Sequence, residues 1–150
     1  MTLQEANNLF ERLKSETTKK SEIKIYEKFL HILRELKIRE FSKNEIQSIE
    51  TKLDSLNLES GHENDIKFFK KAIRDFEKFL KDNLSLTSKG YYTNLGIALG
   101  TSFGVLLGVV VLSNFERSLG ISLGIAIGLL IGLFTGRDLD ARALTEGKVY

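Results

Sequence analysis

The chain has 150 residues, with 22 Lys+Arg against 20 Asp+Glu and a formal net charge of +2, and it contains neither Cys nor Pro. That balance excludes the broad basic field on which nonspecific nucleic-acid binding depends, and the missing thiols exclude disulfides, cysteine catalysis and thiolate metal sites. With no Pro, and with nine of the 12 Gly gathered in one apolar region, turn chemistry for sheets is scarce, so the expected fold class is all-α.

Met1 is followed by polar residues and not by an apolar run, so no cleavable leader is visible and the N-terminal part is expected in the cytoplasm. Four helices are predicted there. Leu3, Ala6, Phe10 and Leu13 recur at spacings of three and four, which places them on one helix face. Over about 21–37, Ile23, Tyr26, Leu30 and Leu33 form a stripe that Phe29, Ile32 and Leu36 widen, as expected of a central helix. Ser42 and Glu45 have the spacing of a capping box, and the helix they open would turn Ile46, Ile49, Leu53 and Leu56 inward. After a turn near Gly61, a fourth helix over about 62–83 carries Ile66, Phe69, Ile73, Phe76 and Leu80 in strict three-four alternation. Each stripe must be buried against another, so the four close into a bundle.

Two charge-free runs follow, Leu95 to Leu112 and Leu119 to Gly136. At 1.5 Å per residue each covers about 27 Å, close to the roughly 30 Å of a hydrocarbon core. The short segment between them allows only a tight turn, so the two spans are expected to be antiparallel neighbours. Lys81, Lys89, Arg137, Arg142 and Lys148 flank the open end against Arg117 alone in the turn, which by the positive-inside rule puts both termini in the cytoplasm. Tyr91 and Tyr92 stand where interfacial anchors belong. The predicted organisation is a cytoplasmic helical bundle over 1–86, an interfacial linker over 87–94, a transmembrane hairpin over 95–136 and a cytoplasmic tail over 137–150.

Within the spans Gly recurs every fourth position, at Gly96, Gly100, Gly104 and Gly108 and again at Gly120, Gly124, Gly128, Gly132 and Gly136. Small residues at that spacing let helix backbones approach inside lipid, where no hydrophobic force draws helices together. The spans also look like copies: Leu95 to Gly108 and Leu119 to Gly132 are identical at 8 of 14 positions. Antiparallel copies would form an inverted pair. A spacing of four drifts by about 40° per step, so the small surface is wide enough to serve both the hairpin and contacts between protomers, and a homo-oligomer is expected. The alternative is that the glycines pack only the hairpin.

These features resemble bacterial glycine-zipper membrane proteins with a two-span hairpin, over about residues 91–148. The resemblance implies helix packing and assembly in an inner membrane and names no activity. The rotor subunit of rotary ATPases, also a glycine-rich hairpin, is set aside because the second span has no carboxylate.

No ionisable group lies within either span, which argues against proton relays and ion-coupled transport. The soluble part shows no catalytic constellation, so no enzyme, cofactor or metal site is expected: His31 and His62 lack ligating neighbours, and Asp138, Asp140 and Glu146 read as a solvated tail among Arg137, Arg142 and Lys148. One local cluster stands out. Lys67, Lys70, Lys71, Arg74, Lys78 and Lys81 fall within about 100° of arc on the fourth helix, opposite its apolar face. The stripe suits anionic head groups or an acidic partner, with a plain solvated face as the alternative, and nucleic acid is not expected. The expected function is a non-enzymatic oligomeric membrane protein, in concrete form a pore-forming or membrane-perturbing effector controlled by its cytoplasmic domain, with Thr101 and Ser102 facing water. The alternative is a membrane-anchored adaptor or scaffold whose bundle binds a cytoplasmic protein.

Overall fold

The computed structural model describes residues 1–60, 66–110 and 117–150. The expected turn at Gly61, His62, the end of the first span at Leu112 and the first four residues of the tight turn expected over 113–118 lie outside the described residues, while Arg117 and Ser118 already belong to a helix. Six α-helices are present among the described residues: α1 (Leu3–Glu16), α2 (Lys20–Lys37), α3 (Lys43–Ser55), α4 (Ile66–Leu84), α5 (Tyr91–Val110) and α6 (Arg117–Thr145). No strand occurs among them; the β-pairing is an isolated bridge between Thr87 and Val149. The chain divides into two compact units, Met1–Leu86 with Tyr150, and Thr87–Val149.

The first unit begins with reciprocal capping. Glu5 N donates to Thr2 Oγ1 at 3.2 Å while Thr2 N donates to Glu5 Oε2 at 2.8 Å, and Ser42 and Glu45 repeat the arrangement at the start of α3. At each start the box satisfies two amides that would otherwise lack a partner, those of the cap residue and of the glutamate. Hydrogen bonds from Thr2 hold the Glu5 carboxyl below the ordinary glutamate range, and those from Ser42 do the same for Glu45. A depressed carboxylate pKa stabilises the fold above the ordinary value, and that contribution disappears as the pH falls through the folded value. The Ser42 box was legible from spacing. The Thr2 box has the same spacing and lies at the very start of the chain.

The core gathers on α2, which buries eight residues, more than any other helix. Phe29 is fully buried and stacks on Phe10 with ring centroids 4.2 Å apart, and Phe69 meets Tyr26 edge-to-face at 5.2 Å. Offset and edge-to-face pairs of this kind suit the ring quadrupole. On α4, Phe69, Ala72, Ile73, Phe76 and Leu80 are buried, which is the expected alternation. Three assignments shift. Leu9 joins the α1 face, Ile25 takes the place of Ile23 in the α2 stripe, and Ile46 is 38% exposed because the inward face of the short α3 begins a turn later, at Ile49 and Leu53. Glu22 is buried near the start of α2, where its carboxylate accepts from Thr17 Oγ1 at 2.5 Å and pairs with Lys19 at 3.3 Å. A buried charge needs such partners, and the helix N-terminus favours its sign.

In the second unit α5 and α6 pack against each other in opposite directions. Helix α5 has 20 residues and starts at Tyr91, four residues before the charge-free run. Helix α6 has 29 residues and continues past Gly136 to Thr145, through the segment expected as a tail, with Asp138 and Arg142 paired at 2.8 Å one turn apart along it. It ends in a Schellman turn. Gly147 adopts φ 68°, Lys148 N donates to Ala143 O at 2.8 Å and Gly147 N to Leu144 O at 3.1 Å. The chain then runs beside Thr87, whose N donates to Lys148 O at 2.9 Å.

Replacing the Phe29 ring by a methyl group should cost about 3–5 kcal/mol, whereas Ile46→Ala on the exposed turn of α3 should cost less than about 1 kcal/mol. Urea unfolding followed by helical circular dichroism measures both; equal losses would contradict this assignment of the core.

Candidate functional site: a glycine seam and a basic helix face

Along α5 and α6 the glycines oppose one another in order. Gly96 faces Gly132, Gly100 faces Gly128, Gly104 faces Gly124 and Gly108 faces Gly120, so each step of four up one helix is a step of four down the other. The duplicated sequence makes this register self-consistent, because advancing every α5 position by one repeat and taking every α6 position back by one returns the same set of pairs. A Cβ added at Gly96, Gly100, Gly104, Gly108, Gly124, Gly128, Gly132 or Gly136 would lie under 3.0 Å from a backbone atom of the other helix. Nothing but hydrogen fits. In three of the pairs, 96/132, 100/128 and 104/124, the relation is mutual: the added Cβ on either glycine would fall on the carbonyl oxygen of the other. The glycine Cα–H that replaces it therefore points at that oxygen, a weak hydrogen bond of about 0.5–1 kcal/mol recurrent where helix backbones meet.

The seam does not stop at Gly136, which packs on the first turn of α5 at Tyr92 and Thr93. Four residues further along the same face stands Asp140. Its carboxylate accepts from Tyr92 N at 3.0 Å, Thr93 N at 2.9 Å and Thr93 Oγ1 at 2.5 Å. Tyr91 N donates to Ser88 O and Asn94 N to Gly90 O, so the first four amides of α5 are all satisfied. Asp140 is thus a tertiary helix cap, with its negative charge at the positive end of the dipole. Sequence reasoning placed it in a solvated tail and missed this; the continuation of the four-residue series from Gly136 was the available signal. Asp138 pairs with Arg142 and Glu146 with Lys148, so these acids are engaged within the helix end and the turn after it.

Away from the seam the two helices present large apolar side chains outward. Phe103 is 62% exposed, Ile131 62% and Phe134 71%. An apolar groove of about 380 Å³ runs along one side of the seam, walled by Leu99, Phe103 and Leu107 on α5 and by Ile127 and Ile131 on α6. Hydroxyls of α5 and α6 are turned onto their own helices: Thr101 Oγ1 donates to Ile97 O at 2.8 Å, Ser102 Oγ to Ala98 O at 2.8 Å, and Thr135 Oγ1 to Ile131 O. Their polarity is satisfied locally. The two helices, Tyr91–Val110 and Leu119–Thr145, are long and apolar enough to cross a membrane, with mean hydropathy 1.6 and 2.1 over an 18-residue window of each.

In the first unit, Lys67, Lys70, Lys71, Arg74, Lys78 and Lys81 are all exposed on α4, opposite its buried face. His31 is exposed on α2, and the described residues contain no cluster of three His, Asp or Glu that could hold a metal.

Enlarging the seam should separate the helices. Spin labels on the outward positions of Leu106→Cys and Leu123→Cys should report one narrow distance, which Gly128→Leu broadens and lengthens while Ala98→Leu on the exposed face leaves it unchanged. Removing the cap by Asp140→Ala should cost about 1 kcal/mol, read as roughly fivefold faster amide exchange at Tyr92 and Thr93. No protein family, curated protein or solved structure matches the chain.

Proposed function

We propose that the protein is a non-enzymatic membrane anchor and adaptor, in which the α5–α6 hairpin sits in the bilayer and the helical bundle of the first unit is the working, partner-binding part. Two helices with outward Leu, Ile, Val and Phe suit lipid, and an exposed apolar surface of this extent is rare on a soluble monomer. The five cationic residues flanking the open end, against Arg117 at the other, favour an orientation with both termini in the cytoplasm, at the inner membrane of a bacterium.

The observation that carries the anchor over the pore is the closed seam. The pore reading began from glycine surface in excess of one hairpin's need, together with hydroxyls free to face water. Instead the seam glycines pack against backbone within the hairpin, and Thr101 and Ser102 donate to carbonyls of their own helix. A homo-oligomer would add contacts on surface that the hairpin leaves exposed, such as the apolar groove or Ala98 and Ser122.

Purified protein reconstituted into vesicles should float with them after alkaline carbonate, leave an entrapped dye inside, and run as a monomer in mild detergent. Extraction by carbonate would sink the anchor. Dye release, above all release abolished by Gly128→Leu, would replace it with the pore.

A further inference from the structure

We infer that the outward face of α4 docks on the anionic head-group surface of the same bilayer that holds the hairpin, so that the bundle has a lipid-controlled, membrane-apposed state. The inference rests on the anchor reading above and adds a ligand for the basic face.

Six cations occupy about 100° of arc on α4, directly opposite Phe69, Ala72, Ile73, Phe76 and Leu80. Core packing therefore fixes the direction in which the charges point. Among the described residues, Lys67, Lys70, Lys71 and Lys78 form no ion pair. The acids that border the arc are Asp75, Glu77 and Asp82. Of these, Glu77 is already engaged, by Lys28 of α2 at 2.8 Å and by the Tyr150 hydroxyl at 3.3 Å, so it does little to neutralise the stripe. Burial, together with that acid, holds the Tyr150 hydroxyl above its ordinary pKa and so protonated, as its donation requires.

The chemistry of the stripe selects among anions. Five of its six cations are Lys, a strongly hydrated point charge without the planar fork by which Arg grips a particular carboxylate or phosphate. A row of Lys suits a diffuse sheet of negative charge. No aromatic side chain lies within the arc to stack a nucleobase. From Lys67 to Lys81 the charges extend over 15 residues of one helix, about 21 Å, which is a line a planar surface can meet along its length.

The tether makes the encounter local. Only residues 85–90 separate α4 from the first residue of α5, a reach of roughly 20 Å. A surface held that close competes at millimolar effective concentration with any free acidic partner. Because exposed charges are screened over about 10 Å at 0.1 M salt, docking of this kind must weaken steeply as salt rises.

The absence of native Cys permits single-site labelling of the full chain. A donor dye is placed through Asp75→Cys, beside the stripe, or through Gln47→Cys on α3 as a reference, and energy transfer is read to acceptor-labelled lipids in reconstituted vesicles. Only protein that floats after carbonate is measured. Transfer from position 75 should be higher in phosphatidylglycerol-containing vesicles than in phosphatidylcholine alone, fall to the phosphatidylcholine level between about 0.05 and 0.5 M salt, and lose its lipid dependence in K70Q/K71Q/R74Q/K78Q. The matching Lys→Arg variant should keep it. Equal transfer in both lipids, or indifference to salt, overturns the docking while the anchor stands; protein that fails to float overturns both. An acidic peptide or an oligonucleotide that binds the protein in phosphatidylcholine vesicles more tightly than phosphatidylglycerol displaces it also overturns the proposal.

Discussion

The second unit depends on one contact, the meeting of α5 and α6 backbone to backbone across hydrogen atoms alone. Glycine in a helix interior is ordinarily a liability, about 0.5–1 kcal/mol worse than alanine because the chain loses more freedom on ordering. Nine of them in two helices would leave each helix marginal in water. Two conditions reverse the balance. In the bilayer proposed for the hairpin, a hydrocarbon environment would force every peptide group to bond within its own helix, so the coil state that competes with glycine helices in water would no longer be accessible. The missing side chains then let the second helix approach until carbonyl oxygens meet Cα–H groups, with close van der Waals contact along the whole length of the seam.

Closing the seam fixes what remains for the rest of the hairpin. Because the small residues face each other, the large ones must face out, and the hydroxyls of Thr101, Ser102 and Thr135, which have no partner helix to reach, bond to the carbonyls one turn back. The same register sets the helix start. Asp140 falls on the seam face because it continues the four-residue series, and there it reaches the amides of Tyr92 and Thr93 just beyond the last glycine. A bare carboxylate among apolar residues would be costly. Placed one turn past Gly136, where the charge-free run has ended, it serves instead to satisfy amides that would otherwise be unpaired.

Much of this was legible in the residue pattern, and the parts that were not have physical reasons. The core stripes of α2 and α4 followed from spacing because periodicity is what burial on one side of a helix demands. Ile46 was placed inside wrongly because periodicity names a face but not how far along a helix its neighbours reach. The glycine series announced close helix contact, but spacing alone cannot say whose backbone fills it. Drift of the series around an ideal helix suggested surplus surface. In the structure the glycines of each series meet the backbone of the other helix, so the hairpin itself uses the whole series. Asp140 was hidden for a different reason: as one acid among Arg137, Asp138 and Arg142 its composition is that of a solvated tail, and only the fold supplies the amides that give it a role.

Under the anchor reading, a hairpin whose glycine seam is turned inward has little left with which to select a partner, since outward Leu, Ile and Phe would be interchangeable in an apolar solvent. The first unit presents surface of another kind: the aromatic core, in which Phe29 stacks with Phe76 of α4, orients that helix so that its cations form an array on the outward face. Rigidity matters to such a face. An exposed ion pair between flexible side chains is worth little, whereas several charges presented on one straight helix share a single ordering cost and respond together to a surface potential. The packing of the bundle and the charge of its outward face are in this sense one feature: the buried side of α4 determines where its lysines point.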